Sequence, residues 1–409
     1  MTPRQRVHDA LNFKTTDRVP RDLGAMRSSG ISAFAYPKLV SALGLPPRRP
    51  RVHDTHQMLA LPDLDVLDAL GCDVVTIDGG VTNAFDEPEK WGDYDFNGRL
   101  PARVCDPASF SAEPDGTVWQ RKWNIQMPAE SFVFNADHNG QPMLDFDKPL
   151  PLLDLKQYQS ELEQGALTDA QIKAARDLCR RVRESTDRAV FYADHFNARI
   201  AITAHGGIAV FPVICLLEPA YVQDLHQITV DYVKGEIRKL LPEIRQYIDI
   251  ALTGGDDWGT QKTLIASPEV FRKLFLPFYR QVNDEFHRLA PDVKTFLHSC
   301  GAIYQILDML VESGFDIINP VQWPAGGHGF DAWKEKVRCR ASFWGGGIDS
   351  QHTLPKGSLA DIRKSTAEIV GCLAQDGGYV FNSIHNLLAE VPAEKIIEMY
   401  QAAGRENVS

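Results

Sequence analysis

Two residues whose side chains bind metals, His298 and Cys300, follow an apolar run in the segment KTFLHSCGAI (294–303). In an extended strand, residues two apart point to the same face, so this imidazole and this thiol would converge on one small volume. A nitrogen and a sulfur donor together suit Zn²⁺ better than Mg²⁺ or Ca²⁺, which prefer oxygen ligands. A buried, inert cysteine beside a hydrogen-bonded histidine gives the same pattern, so the zinc hypothesis depends on what else the chain places near this pair.

The composition limits the classes of protein to consider. With 409 residues, 44% hydrophobic and 24% charged, the chain can bury a large core. No apolar run approaches the roughly 20 residues that span a bilayer, and the first residues lack the apolar core of a signal peptide, so we expect a cytoplasmic protein. The seven cysteines are scattered, which favours reduced thiols over a disulfide framework. A net charge of −11 argues against nucleic acid or an anionic membrane as the main partner.

Apolar runs typical of strands alternate with helical patterns along most of the chain. About eight such runs, each followed by a helix, predict a single (β/α)₈ TIM barrel over residues 1–409. The sequence has no Gly-x-Gly-x-x-Gly after its first strands and no P-loop lysine, so a nucleotide-binding fold is disfavoured. The predicted strands are 17–22, 73–79, 189–193, 248–252, 294–298, 316–322, 342–349 and 379–386.

Polar residues follow the carboxyl ends of these runs, which is where a barrel of this kind places its active site. The candidates for catalysis are therefore His195, Asp256 and Asp257. Either aspartate could be a metal ligand, could support a metal ligand through a hydrogen bond, or could act as a general acid. Only one of these adjacent aspartates can face the barrel mouth if strand geometry persists. The candidates for substrate binding are Asp78, Trp258, Asn319, Gln322 and Asp349.

A long insertion, residues 81–151, interrupts the pattern after the second strand and is rich in Trp, Asp, Gly and Pro. Because it begins at the carboxyl end of that strand, we expect it to pack on the barrel mouth. Its aromatic residues would then roof the site and exclude water, or else attach the insertion to the outer helices.

Motifs from the second half of the chain resemble those of the uroporphyrinogen decarboxylase superfamily. Within it, the chain resembles the branch that contains zinc- and corrinoid-dependent methyltransferases. The likeness covers most of the chain from Ala189 onward and the opening residues 2–21. The motifs are 254–259 (GGDDWG), 298–303 (HSCGAI), 319–322 (NPVQ), 346–349 (GGID) and the stretch 381–392.

The resemblance distinguishes between the branches of this superfamily. Decarboxylases grip a tetra-acid tetrapyrrole through a Met-Arg-Gln-Ala-Gly-Arg type segment, whereas residues 24–30 here read GAMRSSG and only Arg27 fits. Methyltransferases carry a His-x-Cys pair, matched by His298 and Cys300, and a distant cysteine shortly before a proline. Seven residues before Pro392 this sequence has His385 instead. Decarboxylases also place a histidine near this point, but imidazole is an acceptable zinc ligand in place of thiolate.

The resemblance thus implies a methyltransferase with Zn²⁺ bound by His298, Cys300 and His385 and one position left open. It would move a methyl group between a corrinoid and a small methylated or methoxylated substrate or a thiol. Since the sequence has no Asp-x-His-x-x-Gly segment, the corrinoid would reside on a separate partner protein. The oligomeric state stays open.

Two alternatives from other classes remain. A metal-free lyase of the decarboxylase type, acting on a small carboxylate, would use Asp78 or His385 as acid and base. A non-catalytic barrel that binds a small molecule would leave the metal position empty or closed by a fourth protein ligand. Metal analysis separates the metal-free lyase from the others.

Overall fold

The structure of the protein, a computed structural model, describes residues 1–136 and 144–404. Its helices are α1 (Pro3–Leu11), α2 (Tyr36–Ala42), α3 (Leu64–Leu70), α4 (Leu155–Gln164), α5 (Asp169–Ser185), α6 (Phe211–Leu217), α7 (Pro219–Ile244), α8 (Pro268–Leu274), α9 (Leu276–Leu289), α10 (Leu307–Glu312), α11 (Phe330–Val337), α12 (Thr353–Lys356), α13 (Leu359–Leu373) and α14 (Ala393–Ala403). Within the part of the chain that the structure describes, no helix combines the length and apolar character needed to cross a membrane.

The strands form one large sheet and two small ones. They are β1 (Ile31–Ser32), β2 (Arg51–Asp54), β3 (Leu59–Ala60), β4 (Val74–Asp78), β5 (Val81–Thr82), β6 (Gly92–Tyr94), β7 (Ala102–Val104), β8 (Phe110–Ala112), β9 (Val118–Gln120), β10 (Ile125–Met127), β11 (Asn135–Ala136), β12 (Ala189–Tyr192), β13 (Ile250–Gly255), β14 (Lys294–His298), β15 (Ile317–Asn319), β16 (Ser342–Trp344) and β17 (Tyr379–Val380).

The large sheet is curved and has the order β17-β16-β15-β14-β13-β12-β4-β5. All its strands are parallel except β5, which pairs antiparallel with β4. Helices separate successive parallel strands along the chain, as parallel crossovers require. The α/β class predicted from the sequence is therefore confirmed.

The predicted first strand, 17–22, is present only as an isolated bridge between Arg21 and Phe381. Its backbone nevertheless forms hydrogen bonds next to β17 and next to β4, the first and last of the parallel strands in the order of the large sheet. Asp22 N–H donates to the Phe381 carbonyl (2.9 Å), and Asp73 N–H donates to the Arg21 carbonyl (2.8 Å). Closure of a full barrel stays a prediction.

One face of the curved sheet encloses its own apolar core. Val74, Phe191, Phe296 and Trp344, from four different strands, pack there with Val7 and Leu11 of α1. Helix α1 begins at Thr2, whose side chain accepts the Gln5 backbone N–H. Its Arg6 pairs with Asp73, which directly precedes β4, so α1 covers the amino ends of the strands. The carboxyl ends are left for a site.

The insertion contributes strands to two small sheets. Strands β6 and β7 join β1, β2 and β3, and β8 to β11 form a sheet of their own. Within the second of these sheets, β9 and β10 form an antiparallel hairpin. Residues 137–143 of the insertion lie outside the described residues. The sequence pattern predicted neither small sheet.

One helical segment is divided. Between Ser267 and Leu289 the chain forms α8 and α9, with a break at Phe275, whose φ and ψ are −125° and −50°. Pro277 follows closely and lacks a backbone N–H, so the helix cannot run through this point with all its hydrogen bonds made.

Candidate metal centre

Three residues with nitrogen or sulfur donors meet at the carboxyl ends of the strands. His298 ends β14, Cys300 follows two residues later, and His385 lies in the loop after β17. One donor atom from each lies within 4.8 Å of the others, and over residues 1–136 and 144–404 this is the one such group. Cys300 Sγ is 3.4 Å from His298 Nε2, and the two imidazole rings are 5.9 Å apart between centroids.

The His298 ring is held by Asn319, its neighbour in the register between β14 and β15. The Asn319 amide donates through Nδ2 to the Trp344 carbonyl (2.9 Å), which leaves Oδ1 as an acceptor for His298 Nδ1 (2.7 Å). Ser28 Oγ also donates to this Oδ1 (2.6 Å). The proton is therefore fixed on Nδ1, and Nε2, which faces Cys300, keeps a free lone pair.

Cys300 is partly buried and lies beside an aspartate. Burial, and then the charge and hydrogen bond of Asp257, raise the pKa of the Cys300 thiol well above its usual range. Asp257 Oδ1 accepts the Cys300 backbone N–H (2.9 Å) and is 3.5 Å from His298 Nε2. Without a cation this site holds a protonated thiol, whereas a metal cation would favour the thiolate.

His385 is neutral in its surroundings. Burial, followed by the proximity of His298, lowers the pKa of His385 to about 4. A neutral imidazole has a lone pair to offer a metal, so both histidines and the cysteine are suited to ligation. Two nitrogen donors and one sulfur donor fit Zn²⁺, and three protein ligands leave one tetrahedral position open.

The adjacent aspartates face different ways. Asp257 has 55% of its side chain exposed and lies at the candidate metal centre. Asp256 is buried, and its carboxylate accepts the Ile202 backbone N–H and the Thr203 hydroxyl. Burial raises the pKa of Asp256 to about 7. Asp256 thus fixes the loop after β12 and does not reach the donors, which corrects the expectation that either aspartate serves there.

Three residues predicted to bind substrate make contacts within the protein. Asn319 is fully buried and orients His298. Trp258 is also fully buried, against Phe271 and Phe275, because its strand end turns into the core and not towards the mouth. Gln322 Oε1 accepts the Gly301 backbone N–H (2.8 Å) and so supports the loop that carries Cys300.

The remaining predicted residues lie outside the donor group. Asp349 caps its own turn by accepting the backbone N–H groups of Gln351 and His352. His195 is exposed, with Nδ1 2.7 Å from the Tyr192 hydroxyl, in a separate cavity lined by α5. The structure does not bring either residue to the candidate metal centre.

Asp78 is buried in an ion pair that the sequence pattern did not predict. Arg27 contacts both its carboxylate oxygens at 2.8 Å. Burial alone would raise the pKa of Asp78, but the hydrogen bond from Arg27 and the charges of His53 and Arg27 outweigh it, and the net pKa is lowered. Arg27 directly precedes Ser28, so this pair lies close to the Asn319 network. The one sequence signal was Arg27 itself, the single arginine that fitted the family segment.

The family model of uroporphyrinogen decarboxylase matches residues 223–405, which include all three donor residues. For that part of the chain, the match agrees with the superfamily that the motifs predicted. A solved methyltransferase from Methanosarcina mazei is similar over 98% of this chain and 98% of its own, with 13% identity and a TM-score of 0.53. At this identity the similarity supports the fold alone.

Two solved xylanases match less of the chain. A psychrophilic family 10 endo-beta-1,4-xylanase covers 60% of this chain and 84% of its own, with 11% identity and a TM-score of 0.37. Xylanase XynB from Paenibacillus barcinonensis covers 57% and 82%, with 9% identity and a TM-score of 0.34. Among functionally curated proteins, none matches the sequence significantly.

Proposed function

We propose that this chain, whose residues 223–405 match the family model of uroporphyrinogen decarboxylase, is a zinc-dependent methyltransferase. It would move a methyl group between a small methylated compound or thiol and a corrinoid on a separate cytoplasmic protein. The observation that carries this proposal is the group of His298, Cys300 and His385, with donor atoms within 4.8 Å of one another. The fold shared with a Methanosarcina mazei methyltransferase is consistent with it.

The residues of this chain would divide the work as follows. His298, Cys300 and His385 would hold Zn²⁺, which when bound supplies a Lewis acid that polarises a methyl-bearing heteroatom or lowers the pKa of a thiol. Asn319 and Ser28 would keep the His298 lone pair directed at the site. Asp257 would hold the Cys300 backbone in place and offset part of the positive charge.

A metal-free lyase is the weaker alternative because its proposed acid is already engaged. Asp78 is bound through both oxygens by Arg27, and its lowered pKa keeps it ionised at neutral pH. An ionised carboxylate cannot donate a proton. His385, with a pKa of about 4, is neutral near pH 7 and has no acidic proton of suitable pKa to donate there.

We infer further that the large sheet closes as a (β/α)₈ barrel. The segment 20–22 supports this inference, since its backbone bonds to Phe381 beyond β17 and to Asp73 before β4. It would then be the eighth parallel strand. A closed barrel would be consistent with the proximity of His385 and His298, whose ring centroids are 5.9 Å apart.

The test is the metal content of protein purified without chelator. We expect close to one zinc per chain, and Cys300→Ser should lose most of it, with little change in fold. Cys339→Ser is the matched control, because Cys339 is an exposed free thiol outside the site. Protein that holds no zinc, and takes up none when zinc is added, would contradict the proposal.

A further inference from the structure

We infer that the cavity beside His385 receives the body of the substrate and selects a neutral molecule with an apolar body over an anionic one. This inference rests on the proposed function of the adjoining metal centre. The cavity has a volume of about 560 Å³, which is within the usual range for a small-molecule site.

The cavity lies between the insertion and the loop after β17. Residues 130–134 of the insertion form one wall, and residues 385–390 form the opposite one. His385 belongs to this lining and also to the donor group. The cavity and the candidate metal centre therefore share one residue, His385. The cavity gives the metal centre a place for a substrate larger than a methyl group.

The insertion wall is anchored. The Arg99 guanidinium donates to the Pro128 carbonyl (3.2 Å) and to the Ser131 carbonyl. The same guanidinium lies over the ring of Phe132, 5.8 Å from its centroid. Phe134 N–H donates to the His56 carbonyl (2.9 Å). The wall is therefore built by specific contacts and is not a loosely packed segment.

The opposite wall is anchored as well. The Leu387 backbone N–H donates to the Gly30 carbonyl (2.9 Å), and the Leu387 carbonyl accepts the Ser32 backbone N–H (2.8 Å). The Asn386 amide accepts the Gly30 N–H (3.0 Å) and donates to Gln57 Oε1 (2.8 Å). Because Asn386 and Gln57 are bonded to each other, much of the polar capacity of the lining is already satisfied.

The lining favours an apolar ligand. Leu59, Phe132, Val133, Phe134, Leu387 and Leu388 provide aromatic and aliphatic surface. Phe132, Val133 and Leu388 remain 37%, 38% and 54% exposed, so unoccupied apolar surface is present at the mouth of the cavity. Covering such surface with an apolar ligand contributes roughly 25 cal/mol per Å².

The lining disfavours an anion. Its two charged side chains are Glu130 and Glu390, and among the described residues no lysine or arginine lines it. Arg99 is nearby, but its charge lies over Phe132 and is offset by Glu130. A carboxylate in the part of the cavity away from the metal centre would lose water without gaining a cationic side chain of the lining, whereas a neutral group of the same shape avoids that cost.

Two probes of equal shape test this selection. Isothermal titration calorimetry would compare 4-methoxybenzamide with 4-methoxybenzoate, using both zinc-loaded and zinc-free protein. We expect the amide to bind at least tenfold more tightly than the carboxylate. Phe132→Ala should weaken amide binding severalfold, and Trp123→Ala, an insertion aromatic that is 64% exposed and outside the cavity, should not.

A third variant reverses the selection. Leu388→Lys places a cation at an exposed point of the lining and should improve carboxylate binding relative to amide binding. Equal or tighter binding of the carboxylate by the parent protein would overturn the inference. Affinities for the two probes that change neither in Phe132→Ala nor in Leu388→Lys would overturn it as well. Amide binding by protein that takes up no zinc would instead refute the proposed function while leaving the cavity selection standing.

Discussion

The orientation of His298 depends on a single acceptor atom. Asn319 Oδ1 receives the Nδ1 proton because the amide nitrogen of the same side chain is committed to the Trp344 carbonyl. If that acceptor is absent, the ring can rotate and the proton can move to Nε2. The Nε2 lone pair would then no longer be directed at the candidate metal position.

Asn319→Ala should therefore weaken zinc binding by about 10- to 100-fold. A competition titration against a chromophoric zinc chelator would measure the change. Asn283→Ala is the matched control, because Asn283 is an equally buried asparagine whose amide bonds to Thr253 and Ser313. Equal losses of zinc affinity in both variants would indicate a general loss of structure and not a positioning role.

The sequence predicted the His298 and Cys300 pair because alternation along a strand is a local property. It did not predict the role of Asn319, which was interpreted as a substrate contact. The partners that orient its amide, Trp344 and Ser28, lie 25 and 291 positions away in the chain. Trp258 was misplaced for the same reason, since only packing against Phe271 and Phe275 shows that its strand end turns inward.

At the scale of elements, the loops after β13 and β14 cross in direct backbone contact. A Cβ atom on Gly301, where φ is +87°, would lie 2.1 Å from the Gly259 carbonyl oxygen. Gly259 N–H donates to the Cys300 carbonyl (3.1 Å) at the same crossing. The glycine that follows Cys300 is thus required both by its φ and by the close approach.

Gly301→Ala should lower the free energy of unfolding by several kcal/mol and reduce the zinc content, because the Cys300 loop must move away from Gly259. Urea denaturation and elemental analysis would measure the two effects. Gly327→Ala separates strain from crowding, since Gly327 has a φ of +77° but no atom within 4 Å of its added Cβ. If Gly327→Ala is as damaging as Gly301→Ala, contact between the loops is not the cause.

Helices α7 and α8 are joined by a buried histidine that resists protonation. His226 Nδ1 is 2.7 Å from the Leu274 carbonyl, and the ring packs on Phe275 and Phe278. Burial lowers the pKa of His226 to about 4, although the Leu274 hydrogen bond opposes the shift. The unfolded chain would bind a proton near pH 6.5, so unfolding takes up a proton between pH 6.5 and 4.

The contribution of His226 to stability is therefore fully present above pH 6.5 and falls as the pH drops towards 4, by up to about 3 kcal/mol. His226→Gln keeps a donor for the Leu274 carbonyl but cannot titrate, so it should lose less stability between pH 7.5 and 4.5. Urea denaturation at both values measures this difference. His352→Gln, whose parent side chain is 69% exposed, should retain the pH dependence of the parent protein.

The sequence predicted the parallel strands of the large sheet but not the strands of the two small sheets. The parallel strands were visible because each is a buried apolar run between helices of regular period. The two small sheets were not, since their strands are two to four residues long and join segments such as 51–54 and 102–104. Such short strands owe their existence to pairing across the fold and not to local propensity.

For the whole molecule, the core and the candidate site occupy opposite ends of the large sheet. The core inside the sheet is closed at the amino ends of the strands by α1, and His298, Cys300 and His385 belong to none of the buried apolar clusters. A metal at the carboxyl ends would therefore join loops that are already folded. This arrangement is typical of catalytic sites and differs from small domains that fold only around zinc.

Removal of zinc by a chelator should consequently leave the fold intact. We expect an unchanged far-ultraviolet circular dichroism spectrum and a Tm lower by a few degrees, because zinc that binds only the folded state stabilises it by about 2.7 kcal/mol at a free concentration of 100 Kd. Restoring zinc should restore the Tm, and Cys300→Ser should show no shift with either treatment. Global unfolding on chelation would mean that the metal holds the fold together, and the open catalytic site proposed for this chain would then be wrong.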